Sequence, residues 1–123
     1  MTEKLILQPD ASHPITIERN PERVVITVGG HTIADTQAAL TLREADYPPV
    51  QYIPLADVEQ SLLEPTDHSS YCPYKGDCSY YSIAAGEVDL ENSVWEYRDP
   101  YAPVAEIRGH VAFYPDRVQI AAA

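Results

Sequence analysis

The residues with the most chemistry to offer lie in the middle of this chain. Cys72, Lys75 and Cys78 fall within one heptapeptide, CPYKGDC. Lys75 is one of only two lysines and stands beside Gly76. An ammonium next to turn amides attracts a carboxylate or phosphate as a point charge. It can equally pair with a nearby acid, for which Asp57, Asp67 and Asp77 are the candidates. A thiol at Cys72 becomes nucleophilic when a neighbouring cation lowers its pKa, and Lys75 or His68 could supply that cation. Otherwise it serves as a small buried hydrophobe. Asp57 sits in the first turn of an expected short helix, where it can act as a general acid or base or cap backbone amides. Cys72, Lys75 and Asp57 are thus the catalytic candidates.

Aromatic residues surround this segment. Of nine tyrosines, seven lie between Tyr47 and Tyr97, along with the only tryptophan. A concave site lined by Tyr47, Tyr52, Tyr81, Trp95 and Tyr97, with Lys75 as its charge, would suit a flat organic ligand or a sugar ring. The same residue types also serve as ordinary core, provided their hydroxyls are satisfied. Tyr80 and Tyr81 are adjacent on an expected strand, so only one of them can face such a site. Cys72-x5-Cys78 has neither redox nor zinc spacing, so no metal is expected. No phosphate loop, nucleotide fingerprint or nucleophile elbow occurs, and no cofactor is expected.

Bulk properties narrow the class. The chain has 123 residues with 19 acidic and 8 basic side chains, a formal charge of -11. Such a surface repels nucleic-acid phosphates and anionic lipid. An apolar fraction of 45% argues for a folded core. No apolar run approaches the roughly 20 residues that span a bilayer. The N-terminal segment lacks the features of a signal peptide, so the cytoplasm is the expected location.

Eleven prolines leave little room for long helices and favour a mainly β domain. Residues 1–20 read as an arm, with Ile15 and Ile17 placed to lie along a sheet edge. Residues 21–120 form one domain, and 121–123 a tail. Strands are expected at 23–28 and 31–35 about a Gly29-Gly30 turn. Further strands are expected at 39–43, 50–53, 80–84, 92–98, 110–114 and 117–120, with a brief one at 88–90. The pattern at 55–63 predicts a two-turn helix with Leu55, Val58, Leu62 and Leu63 on one face. Residues 66–79 read as a loop or a pair of strand ends, and 101–108 as a single helical turn.

Several short motifs together resemble one family. They are Glu44, Tyr52-Ile-Pro54 with Asp57, Cys72-Pro73-x-Lys75-Gly76 followed by Tyr80, Trp95-x-Tyr97-x-x-Pro100, and Ile107-x-Gly109-His-Val-Ala-Phe113-Tyr-Pro115. Their order and spacing resemble those of domain of unknown function 427. The resemblance implies a compact domain of two small antiparallel sheets, of the β-tent or Mss4-like kind, with one or two short helices. One grouping of that family carries a nucleotidyltransferase label. The wider fold often holds zinc between two Cys-x-x-Cys pairs, which this sequence lacks.

Three functional classes follow. The first is a domain binding a small anionic or hydroxylated ligand in a Tyr/Trp/Lys-lined cleft, with or without catalysis. The second is a nucleotidyltransferase-like enzyme, for which Asp57 and Glu44 would have to hold Mg²⁺. The third is a structural or protein-interaction module, as a monomer or homodimer.

Overall fold

A computed structural model describes residues 4–122. The first three residues of the expected arm, and Ala123 of the expected tail, lie outside the described residues. The chain is mainly β, in two antiparallel sheets of seven and three strands. In chain order the strands are β1 Ile15–Arg19, β2 Val24–Val28, β3 His31–Thr36, β4 Leu40–Glu44, β5 Val50–Pro54, β6 Leu63–Cys72, β7 Gly76–Ala85, β8 Val88–Glu96, β9 His110–Phe113 and β10 Gln119–Ala122. The large sheet runs β1-β4-β5-β9-β8-β7-β6, and the small one β10-β2-β3. Among the described residues no helix is long and apolar enough to cross a membrane.

The alternation of side chains along each strand gives the large sheet two different faces. Register aligns Tyr81 with Val94 and Val94 with Phe113, and Ile53 with Val111. These residues face the small sheet and pack with Val24, Ile26 and Ile33 in the main core. One residue along, Tyr80 aligns with Trp95 and Trp95 with Ala112. These face the other way and join Leu42, Tyr52, Cys78, Tyr97, Val104 and Ile107 in a second cluster. In place of the single helical turn expected at 101–108, two 3-10 turns joined by a kink at Val104 span Ala102–Ile107 and cover part of that cluster by burying Val104 and Ile107.

Two further expectations are corrected, and the choice left open at 66–79 is decided in favour of strand ends. The helix at 55–63 is absent: two single 3-10 turns, Leu55–Asp57 and Gln60–Leu62, stand in its place, and Leu63 already begins β6. The cause is sheet pairing. Val58 is extended and bridges Ala34, and the Glu59 amide donates to the Ile33 carbonyl at 2.7 Å. Burial of Val58 against β3 outweighs the helical periodicity of the sequence. Much of 66–79 is strand, since β6 and β7 form a long hairpin through Ser69–Ser79 down to Cys72–Gly76. Finally, β10 begins two residues later than expected and takes in Ala121 and Ala122. Ile15–Arg19 does form an edge strand, paired with β4.

The β2–β3 turn is tied to β8. Gly29 and Gly30 both have positive φ, +53° and +81°. A Cβ on Gly29 would collide with a methyl of Val88, whereas one on Gly30 would meet nothing. Left-handed backbone costs a non-glycine residue roughly 1–2 kcal/mol. Overpacking adds about 1–3 kcal/mol at Gly29 alone. Urea melts should therefore show Gly29→Ala clearly less stable than Gly30→Ala. Adding Val88→Ala to the Gly29→Ala protein should narrow the gap, and equal melts for the two single variants would refute the contact.

Candidate functional site

The second face of the large sheet is not fully covered. Between β4, β5, the β6–β7 turn and β8 it opens into a cleft of about 160 Å³. Its walls include Tyr47, Tyr52, Lys75, Trp95 and Tyr97, five of the six residues expected to line such a site. The strand register places Trp95 and Tyr97 on the same side, two residues apart on β8 and its extension. Tyr52 reaches the cleft from β5, and the Trp95 indole N–H donates to its hydroxyl at 3.2 Å. The two rings meet edge to face, with centroids 6.4 Å apart. The Tyr52 hydroxyl thereby accepts one bond and keeps its own O–H as a donor.

Lys75 enters from the hairpin turn. Its amide donates to the Cys72 carbonyl, and its own carbonyl accepts from the Tyr101 amide. Gly76 follows at φ +110°, a conformation suited to glycine, with the Asp99 carbonyl close beside it. That turn directs the Lys75 side chain inward, leaving the residue 8% exposed. Its ammonium pairs with Glu44 Oε1, at the end of β4, and lies 5.8 Å from the Tyr97 ring centroid. The partner is therefore none of the acids expected from proximity in sequence; Asp77 pairs with Lys4 instead.

Glu44 receives a second donor. His13 Nε2 lies 2.8 Å from its other oxygen. His13 is held by a local turn in which the Asp10 carboxylate accepts from the Ser12 and His13 amides. Its ring stacks on Tyr74 at 4.1 Å. Burial pushes the Glu44 carboxyl upward, but the hydrogen bonds from Lys75 and His13 prevail and hold it below its ordinary value. The tyrosines move the other way. Burial raises Tyr52 and Tyr97 well above the usual phenol range. It also pushes Tyr80 up to about 12 against the opposing bond to Ser70. Burial likewise raises the Cys78 thiol. The cleft thus presents neutral hydroxyls and a thiol around one internally compensated ion pair.

The other candidates lie elsewhere. Tyr81 points to the opposite face, where its hydroxyl donates to the buried Glu96 at 2.6 Å. Tyr80 is the member of that pair lining the cleft. Asp57 accepts from the Thr36 hydroxyl at 2.6 Å and lines separate hollows beside β3. It makes no side-chain cap to its own turn. Cys72 is half-buried and packs against the second cluster without lining the cleft. The three catalytic candidates are thus not brought together in the cleft. Among the described residues no group of three His, Cys, Asp or Glu side chains is placed to hold a metal ion.

Sequence reasoning missed Cys78, Tyr80 and Tyr114 as cleft residues and His13 as the partner of Glu44. Strand parity was the available signal for Tyr80, once Trp95 had been placed. His13 carried no local signal, because it is brought to Glu44 by long-range pairing of β1 with β4.

The ion pair has consequences for stability. Because the folded pKa of Glu44 lies below its unfolded value of 4.5, its contribution is complete above that value. It is lost as pH falls through the lower folded value. Glu44→Gln leaves a buried ammonium without its counter-charge, which costs about 3–5 kcal/mol at neutral pH. Thermal melts from about pH 6 to about pH 2.5 should therefore fall less steeply for Glu44→Gln than for the wild type. Parallel curves would show that Glu44 ionisation does not stabilise the fold.

A family model described as Domain of unknown function (DUF427), with a short name of the nucleotidyltransferase kind, matches residues 16–123. No curated protein matches the chain in sequence. The matched span takes in every strand except the first residue of β1, together with Glu44, Tyr52, Lys75, Trp95 and Tyr97. The chain belongs to the DUF427 family.

Proposed function

We propose that the cleft between β4, β5, β8 and the β6–β7 turn binds a small, neutral, hydroxylated ring. The observation that carries this reading is the convergence of Tyr52, Tyr97, Trp95 and Tyr80 around the compensated Lys75–Glu44 pair. Aromatic walls favour the flat or apolar face of a ring. Phenol groups that stay protonated both donate and accept, as a hydroxylated ligand requires. Of the two ligand classes expected from the sequence, the hydroxylated one is the better supported. Lys75 already has its anion in Glu44, so an incoming anion would have to displace a buried carboxylate. The cleft volume of about 160 Å³ suits a single ring, since sites for drug-sized ligands occupy roughly 300–1,000 Å³.

Trp95 is the only tryptophan and lines the cleft, so its fluorescence and its indole N–H signal report directly on occupancy. Titration with a panel of neutral monosaccharides should shift the Trp95 indole resonance saturably for at least one of them. Tyr97→Ala should weaken that binding by about tenfold or more. A Trp95 signal unmoved by every monosaccharide at millimolar concentration would overturn the reading.

A further inference from the structure

A second hollow adjoins the cleft. It measures about 540 Å³ and is lined by His68, Glu91, Asn92, Asp116 and Arg117, with Tyr80 and Tyr114 shared between the two. The shared rings form a braced divide. Tyr114 packs on Trp95 with centroids 4.6 Å apart, and Tyr80 packs on His68 at 4.4 Å. The Tyr80 hydroxyl is further fixed by Ser70 at 2.9 Å. A ligand reaching from one hollow to the other would pass over these two rings.

The polar groups of the outer hollow are partly committed and partly free. Arg117 Nη1 donates to the Glu91 carbonyl and to the Ser93 hydroxyl, both at 3.3 Å. Its Nε lies 4.0 Å from the Asp116 carboxylate. These contacts orient the guanidinium while leaving further N–H donors available. Asn92 accepts from the Thr66 hydroxyl through Oδ1, which leaves its amide hydrogens to donate. Glu91 and Asp116 are exposed acceptors. An anion would meet two carboxylates here, and an apolar group would leave these polar groups unpaired. Planar donors and acceptors at close quarters, beside braced aromatic rings, match the adjacent hydroxyls and apolar ring faces of a sugar.

We propose that the binding site extends across Tyr80 and Tyr114 into this outer hollow and takes a neutral ligand of two linked hydroxylated rings, of the disaccharide class. The proposal rests on the reading of the cleft given above. One ring occupies the cleft against Trp95 and Tyr97. The second lies in the outer hollow within reach of Arg117 and His68. Alone the cleft falls below the size range of ordinary ligand sites, whereas the outer hollow lies inside it.

The test compares neutral monosaccharides with the disaccharides built from them, using the complete chain. NMR reads the Trp95 indole and the Arg117 guanidinium together. At least one disaccharide should bind about tenfold or more tightly than its component monosaccharide and move both signals. Arg117→Ala should remove that advantage. His68→Ala, at an exposed position, should reduce it and serves as the control should Arg117→Ala fold poorly. Monosaccharide binding at Trp95 with no gain for any disaccharide would overturn the extension alone. Silence at Trp95 for every monosaccharide would overturn the cleft reading and the extension with it.

Discussion

The pairing of Lys75 with Glu44 is the interaction on which the arrangement of this cleft depends. An ammonium taken out of water costs several kcal/mol unless a counter-charge accompanies it. Lys75 is almost fully buried, so its place is tolerable only where Glu44 can reach it. That requirement ties the tip of the β6–β7 hairpin to the end of β4, 31 residues earlier. His13 extends the tie to the N-terminal arm by bonding the second oxygen of Glu44. The arm gains further anchors along the same hairpin, where the Leu7 amide donates to the Pro73 carbonyl and the Tyr71 hydroxyl to that of Leu5. A local charge problem is thereby solved by long-range contacts, and the solution shapes one wall of the cleft.

The large sheet supplies the rest. One of its faces is a conventional core closed by the small sheet, with Ile53, Ile83, Val94 and Val111 fully buried. Its other face is aromatic and only partly roofed by the turns at Ala102–Ile107. Because side chains alternate, the same strands serve both faces without compromise. Val94 packs inward while Trp95 lines the cleft. This division lets the domain keep an aliphatic core on one face and line a cleft on the other with the buried rings of Tyr52, Tyr80 and Tyr97 beside the half-buried Trp95 and Tyr114.

Much of this was legible in the sequence where the physics is local. The Gly29-Gly30 turn, the alternation of Val94 and Glu96 against Trp95 and Tyr97, and the gathering of Tyr52, Lys75, Trp95 and Tyr97 all follow from spacing or from the family's motifs. The misreadings share one cause. The recurrence of Leu55, Val58 and Leu62 at helical spacing puts Asp57 on a helix, yet the bridge from Val58 to Ala34 imposes extended backbone. Tyr80 and Tyr81 are indistinguishable locally, because parity along β7 is set only by which neighbour it pairs with. Sequence proximity offers Lys75 only Asp57, Asp67 and Asp77, and the order of strands in the sheet brings Glu44 to it instead. In each case non-local pairing decided between local alternatives of similar merit.

The central claim is that Glu44 and Lys75 stabilise the fold as a coupled pair that sets the cleft, rather than as two independent polar residues. A double-mutant cycle measures this directly, using urea denaturation of Glu44→Leu, Lys75→Met and the combined protein. Each single change strands a buried charge, whereas the double change replaces both with apolar groups of similar length. The expected result is a double variant more stable than either single one, with a coupling of about 2 kcal/mol or more. A double variant whose loss equals the sum of the two single losses would contradict the account.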